Sequence, residues 1–411
     1  MAVIAAVTCD ILPFMEKNIS AVALCAVGAE KAVSNELRKL NIKVEESLYG
    51  RVRFKTDIKG LYQALIGLRA ADRVLLETAQ FKAADFDALF EGAAEVQWEK
   101  IIPKGMGLKI VKVRVNRSQL KAETTIQSMV HKAAAQRLCE KYKMSRLPEP
   151  TVNSPVKVAE VRVYIEKDIV SLLLDLSGEP LFKRGYRSEG GAAPLRETTA
   201  ASILLLSGWK RKFPLYDPFC GSGTILIEAA MYAWDMAPGL GRHFAIEDML
   251  IADLKTEQDL REEFKSKIDF SRIVRIAGSD EDMRSVSIAV SNTARLRDIA
   301  EGREPQHGIR SRNESNGIDL KVLPMKEAGT PFNEDAGFIV TNPPYGKRLG
   351  DQAMAEEIYK EMAGLGSRFP GWKIAVITDH SGFESFYGKK ADSCREISNG
   401  AIPSYFFEYN I

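Results

Sequence analysis

Apolar and polar positions along this chain follow two periods, and each change of period marks an element. Residues 21–25 are a short apolar run that reads as a strand. Residues 30–40 place Val33, Leu37 and Leu40 on one face of a helix. Residues 51–54 alternate, with Val52 and Phe54 inward, and a helix carrying Leu61, Leu65 and Leu68 runs into a strand at 73–76. Residues 85–94 predict a short helix capped by Asp85 or a neighbour. At 108–115, Val111, Val113 and Val115 share one strand face and Lys112 and Arg114 the other. A helix over 124–142 has Ile126, Met129, Val130, Ala133 and Leu138 as its buried stripe, with Lys132, Arg137 and Lys141 opposite. Residues 156–164 and 169–176 predict a hairpin turned at Glu166-Lys167-Asp168. Beyond the flexible Gly190-Gly191-Ala192-Ala193-Pro194, strands are predicted at 213–216, 272–276, 318–323, 338–341 and 372–378. Helical stretches lie at 226–231, in the charged segment 235–271, and at 352–367, the last with Met354, Ile358, Met362 and Leu365 inward. Two final strands, 392–398 and 404–409, flank an Asn399-Gly400 turn. The class is α/β, with an α+β front half.

Two loops carry chemistry. Asp217-Pro218-Phe219-Cys220-Gly221-Ser222-Gly223-Thr224-Ile225 joins a strand to a helix. Gly221 and Gly223 permit positive φ and let the backbone approach a ligand, and the next helix begins with free N–H groups. The loop lacks the Lys-Ser/Thr ending of a triphosphate-binding loop. A sharp connection without a ligand is the alternative. Farther on, Phe338-Ile339-Val340 runs into Thr341-Asn342-Pro343-Pro344-Tyr345-Gly346. The prolines fix φ and remove two donors, leaving carbonyls free to accept. With the Asn342 side-chain carbonyl and the flat face of Tyr345, this set suits a planar base with an exocyclic amine. The amine would donate to Asn342 and Pro343 while the ring stacks on Tyr345. At the end of the second predicted strand of this half, Asp280 (with Asp282 in reserve) is placed to accept from a ribose diol.

Composition narrows the classes. The 411 residues suggest two or three domains, and 45% hydrophobic content suits a soluble protein with real cores. No apolar run reaches the roughly 18–20 residues of a membrane span. The first 14 residues are apolar but contain Asp10 and no early Lys or Arg, which reads against a secretory signal. Five scattered cysteines without a CxxC pair, and four widely spaced histidines, suggest neither a metal site nor a disulfide framework, and a cytoplasmic location is expected. The net charge of +2 divides into about +7 for residues 1–185 and about −5 for the rest. A basic front half suggests a phosphate-bearing partner, a solvated charged face being the alternative.

Together the two loops resemble class I S-adenosylmethionine-dependent methyltransferases that act on exocyclic amines of nucleobases. The resemblance implies S-adenosyl-L-methionine as cofactor, held by Asp217, Cys220, Gly221, Ser222, Gly223, Thr224, Asp280 and Met325, with Asn342 at its methyl end. Arg196, Glu197 and Thr198 would open the helix that closes over it. The catalytic set would be Asn342, Pro343, Pro344 and Tyr345. Relatives often carry an Asp just before the adenine-contacting residue, where this chain has Pro324. The front half's strand, helix and paired strands resemble a THUMP domain, which binds structured RNA through shape and phosphates. Lys112, Arg114, Arg117 and Lys132, with Arg184 and Arg187 of the hinge, are the implied RNA contacts. The expected order is a leader (1–19), a ferredoxin-like unit (20–60), a THUMP domain (61–180), a linker (181–194) and a Rossmann-like methyltransferase domain with antiparallel last strands (195–411). The polar stretch 301–317 reads as a surface loop. The whole layout most resembles bacterial enzymes that make N2-methylguanosine in 23S ribosomal RNA. A tRNA guanosine-N2 methyltransferase, a DNA adenine methyltransferase and a non-catalytic RNA-binding ribosome assembly factor remain alternatives.

Overall fold

The computed structural model describes residues 18–151, 155–187, 195–301, 303, 317–345, 351–400 and 402–411. The expected leader through residue 17, the expected linker residues 190–194 and nearly all of the stretch 301–317 lie outside them.

The front half is built on β1 (Ile19–Cys25), β2 (Lys43–Leu48), β3 (Arg51–Thr56), β4 (Ala71–Lys82), β5 (Gly107–Asn116), β6 (Val158–Glu166) and β7 (Ile169–Asp175). Its helices are α1 (Glu30–Lys39), α2 (Ile58–Gly67), α3 (Phe86–Glu95) and α4 (Glu123–Tyr142). The strands form one sheet in the order β2-β3-β1-β4-β7-β6-β5. β4 is the seam: its first half pairs with β1 and its second half with β7. The boundary expected at residue 60 therefore falls inside one sheet, because α2 and the start of β4 belong with β1. Asp57 caps α2 by accepting from Gly60 N at 2.7 Å, and Asp85 caps α3 by accepting from Ala88 N at 2.8 Å. The β6–β7 turn puts Lys167 and Asp168 at φ +50° and +59°, the pair of positive angles that a tight hairpin requires. Two readings are corrected. β2 was not expected; its polar sequence makes an exposed edge strand. In β5 the register shifts between Ile110 and Lys112, so Ile110 and Val113 are buried while Val111 and Val115 are only half-buried.

The second half contains β8 (Leu215–Asp217), β9 (Ile276–Asp280), β10 (Asp319–Val322), β11 (Phe338–Thr341), β12 (Lys373–Thr378), β13 (Ser393–Asn399) and β14 (Ile402–Asn410). They order as β10-β9-β8-β11-β12-β14-β13, the first five parallel and β14 antiparallel to both its neighbours. The helices are α5 (Glu197–Leu206), α6 (Thr224–Ala233), α7 (Leu254–Ser266), α8 (Met283–Ala300), α9 (Asp351–Met362), α10 (Leu365–Arg368) and α11 (Phe383–Tyr387). Strand order reverses between β8 and β11, the switch point where open α/β sheets bind ligands. The second strand begins at Ile276 rather than 272, because Arg272 is drawn to the Ala233 carbonyl and to Asp235. The helix expected over 352–367 is two helices. Its inward face is Ala355, Tyr359, Met362 and Leu365, one position on from the predicted stripe at its start, and Met354 is 67% exposed. Among the described residues no helix is long and apolar enough to cross a membrane.

A buried polar cluster fastens the two halves together. Arg69 of the front half donates to the carbonyls of Met236 (2.7 Å) and Met231 (3.4 Å), while Glu36 accepts from Arg69 N and Ala70 N. Arg184, only 4% exposed, donates to the carbonyls of Leu181 and Arg69 and pairs with buried Glu228 at 3.4 Å. Tyr186 also donates to Glu228, at 3.2 Å. Arg184 is thus an internal strut and not an RNA contact. Glu228→Gln would leave the Arg184 charge uncompensated, and is expected to cost about 3–5 kcal/mol in urea unfolding; an unchanged midpoint would contradict the role given to this cluster.

Candidate active site

The glycine loop is shaped by backbone constraint and held by side chains behind it. Gly221 and Gly223 sit at φ +52° and +82°, which any Cβ would strain. At Gly223 a Cβ would also meet Ala289 at 3.1 Å, so the glycine allows α6 to start against α8. Asn292 of α8 donates from Nδ2 to the Ser222 carbonyl at 3.1 Å. Asp280, at the end of β9, accepts from Gly221 N at 2.9 Å and from Asp282 N at 3.0 Å. Asp282 is committed elsewhere: it caps α8 by accepting from Arg284 N and Ser285 N.

The second loop is held just as firmly. Asp217, buried at the end of β8, accepts from Phe219 N at 3.0 Å and from the Thr341 hydroxyl at 2.6 Å. That bond joins residues 124 positions apart and sets Asn342 beside the glycine loop. Tyr359 of α9 donates to the Pro344 carbonyl at 3.1 Å and lies 3.0 Å from the Thr378 hydroxyl. Among the described residues nothing donates to the Pro343 carbonyl. The Tyr345 hydroxyl donates to Asn342 Oδ1. Burial, and then the Asp379 charge, push the Tyr345 phenol far above its ordinary value, so it remains a donor.

Both loops open onto one cleft of about 600 Å³, whose walls include Gly221, Asp280, Met325, Asn342, Pro343 and Tyr345. Asp217, Cys220, Ser222, Thr224 and Pro344 also line it. Glu281, Ser285, Lys326 and Glu361 line it too and were not singled out from sequence, where nothing distinguishes them from other surface polar residues. Arg368 pins the Met325 segment, donating to the Met325 carbonyl at 2.6 Å and contacting its sulfur at 3.3 Å.

Other expected site residues lie elsewhere. The start of α5 turns towards the front half, and Leu195 is its contribution to the cleft. Thr198 donates to Asp72 Oδ1 at 2.5 Å, and Arg196 stacks on Phe182 at 4.7 Å. Glu197 pairs with Arg187 at 2.9 Å. Arg187 also donates to the Leu195 carbonyl and to Thr224 Oγ1, which makes it a brace for the glycine loop rather than an RNA contact. Lys112, Arg114, Arg117 and Lys132 are exposed on the front half. Arg114 lies 5.8 Å from the Tyr164 ring, which Arg51 also approaches, at 5.1 Å.

Residues 184–406 match the family model described as RMKL-like, methyltransferase domain, and residues 20–75 match that of the RlmL ferredoxin-like domain. The chain is 34% identical over 399 residues to "Putative RNA methyltransferase YpsC" of Bacillus subtilis (strain 168), covering 96% of each. It is 32% identical to "Ribosomal RNA large subunit methyltransferase K/L" of Syntrophotalea carbinolica, over 97% of this chain and 54% of that protein. The chain thus spans about half the length of that relative. Among solved structures it is similar to SMU.472 complexed with SAH (31% identity, TM-score 0.81, 96% of this chain and 98% of that one). It is equally similar to a protein of Listeria monocytogenes str. 4b F2365 titled a predicted N6-adenine-specific DNA methylase (32% identity, TM-score 0.81, 96% of each).

Asp217 gives a pH signature. Burial outweighs its two hydrogen bonds and raises its carboxyl from 3.8 to about 7. The folded state therefore binds this proton more tightly than the unfolded chain. The associated stability is fully present below pH 3.8 and is lost as pH rises through about 7. The unfolding free energy of the wild type minus that of Asp217→Asn should fall between those two values and level off above. A flat difference in denaturant titrations across this range would contradict the assignment.

Proposed function

The chain belongs to the RMKL-like methyltransferase family, and on that premise we propose that it methylates the exocyclic N2 amine of a guanosine in large-subunit ribosomal RNA. It is an S-adenosylmethionine-dependent RNA methyltransferase of this family; the proposal concerns base, atom and RNA. The observation that carries it is the opening of the Asn342 loop and the glycine loop onto a single cleft.

The cleft fits the cofactor. Where a Gly221 Cβ would project there is no heavy atom within 4 Å, so a ligand can lie against the backbone. Asp280 spends two acceptor sites on Gly221 and Asp282 and, as a carboxylate, keeps others for a ribose diol. Met325 and Ile288 supply apolar wall. Once bound, S-adenosylmethionine supplies an electrophilic methyl group on a sulfonium. The chain's own residues deal with the amine, a poor nucleophile because its lone pair is delocalised into the ring. Asn342 Oδ1 and the Pro343 carbonyl accept its two N–H bonds and draw the nitrogen towards a pyramidal shape. Tyr345 Oη, which donates to Asn342 Oδ1, shares or yields that acceptor, and its ring holds the extruded base. Tyr359 keeps the Pro344 carbonyl in place, so positioning supplies much of the rate. No strong base is required, because the amine becomes acidic on alkylation. The part of the front half beyond the β4 seam acts as a THUMP domain, with Lys112, Arg114, Arg117 and Lys132 contacting RNA phosphates.

The test is transfer of labelled methyl from S-adenosylmethionine to unmodified ribosomal RNA and, separately, to tRNA, with digestion to identify the labelled nucleoside. N2-methylguanosine in ribosomal RNA is expected. The same product only in tRNA would move the substrate, and N6-methyladenosine would overturn the base. Because Tyr345 acts through its ring, Tyr345→Phe should retain transfer. Tyr345→Ala should lose about 1–3 kcal/mol of stacking, roughly 5- to 150-fold in kcat/KM; equal loss in both variants would contradict the stacking role.

A further inference from the structure

The cleft runs along the carboxyl crest of the second sheet. From Asn342 the strand order β11-β8-β9-β10 leads past the glycine loop and Asp280 to the connection that holds Pro324, three strand spacings or about 14 Å in all. With its methyl end at Asn342 and its ribose at Asp280, the cofactor carries its adenine onward, between the start of α8 and the residues after β10. Glu281, Ser285 and Ile288 form one wall there, and Pro324, Met325 and Lys326 the other. The two walls are fixed to each other: Val322 is opposite Asp280 in the parallel register, and Leu323 N donates to the Asp280 carbonyl at 3.0 Å. Glu281 therefore leaves the sheet level with Leu323, one residue before Pro324.

Adenine brings an amine to this end of the cleft, and the amine needs an acceptor. Most groups present cannot serve. Pro324 has no polar side chain, and its carbonyl already accepts from Glu327 N at 3.0 Å. The Met325 carbonyl accepts from Ala328 N at 3.0 Å and from Arg368 at 2.6 Å. Lys326 can only donate. The Ser285 hydroxyl donates to Asp282 at 2.8 Å. Asp280 accepts from Gly221 N and Asp282 N, and its remaining sites suit the ribose. Glu281 is left: it is exposed, and among the described residues its carboxylate accepts no hydrogen bond and pairs with no cation. Glu361, the other cleft carboxylate without a partner among the described residues, stands on α9 and not beside the ribose acid.

We infer that Glu281 reads the cofactor's adenine, its carboxylate accepting a hydrogen bond from the 6-amine, a task that the side chain at position 324 cannot perform in this chain. The inference deepens the cofactor placement given under Proposed function and rests on it. Specificity follows from polarity. A hypoxanthine ring carries an oxygen where adenine carries the amine, and that oxygen would face the carboxylate with no proton between them. Glu281 thus selects adenine by repulsion as well as attraction.

Calorimetric titration of the full chain tests this with three ligands: S-adenosylhomocysteine, the analogue whose purine lacks the 6-amine, and the analogue with hypoxanthine. The wild type should bind S-adenosylhomocysteine at least about tenfold more tightly than either analogue. Glu281→Ala should weaken S-adenosylhomocysteine about tenfold and leave the amine-free analogue within about twofold of its wild-type Kd, which also shows that the variant is folded. Glu281→Gln, whose amide can donate to the hypoxanthine oxygen, should bind that analogue more tightly than the wild type does. Unchanged affinities in Glu281→Ala, or an equal loss for all three ligands, would overturn the inference and leave the cofactor placement standing. An amine-dependent loss in Glu361→Gln in place of Glu281→Ala would overturn it as well. A wild type that binds none of the three would remove the cofactor placement itself.

Discussion

The hydrogen bond from Thr341 to the buried Asp217 carboxylate is the constraint on which the site depends. It ties the end of β8 to the end of β11 at the sheet's switch point and so joins two loops that are far apart in sequence. Every other support radiates from there. Asp280 fastens β9 to the glycine loop through Gly221 N, and its carbonyl receives Leu323 N from the next connection. Asn292 holds the loop from α8, and Tyr359 holds the second loop from α9. Because each tether is buried or half-buried, its loss leaves a polar partner unsatisfied, which is why this crest keeps one geometry.

The second requirement is a fixed distance between the site and the front half. Arg69, Arg184, Glu36 and Glu228 meet that need with charges placed where water is absent, and Thr198 adds a bond to Asp72 across the same boundary. Buried ion pairs contribute little net stability but penalise any other docking of the halves, since each partner would be left uncompensated. A rigid body of this kind keeps the exposed Lys112, Arg114, Arg117 and Lys132 at a fixed distance from Tyr345, as the proposed function requires.

The elements and both loops were legible in the sequence because they rest on local rules: glycines at positive φ, prolines that free carbonyls, and apolar strands that alternate with helices. The errors arose where tertiary partners decide. β2 is polar and was missed, since an exposed edge strand leaves no hydrophobic pattern. Arg184 and Arg187 look like RNA contacts in a basic hinge, but Glu228 and Glu197 draw them inside. Thr198 was expected at the cofactor, yet Asp72, more than a hundred residues earlier, claims its hydroxyl. Tyr359 carries no sequence signal at all; its meaning appears only when α9 brings its hydroxyl to the Pro344 carbonyl.

The most direct measurement pairs cofactor calorimetry with single-turnover methyl transfer for the wild type, Asn342→Ala and Asp280→Asn. One crest with two separable duties predicts that Asn342→Ala abolishes transfer while S-adenosylmethionine affinity stays largely intact, and that Asp280→Asn weakens binding first. A proportional loss of binding and transfer in Asn342→Ala would contradict the account, because the two loops would then form one undivided cofactor site.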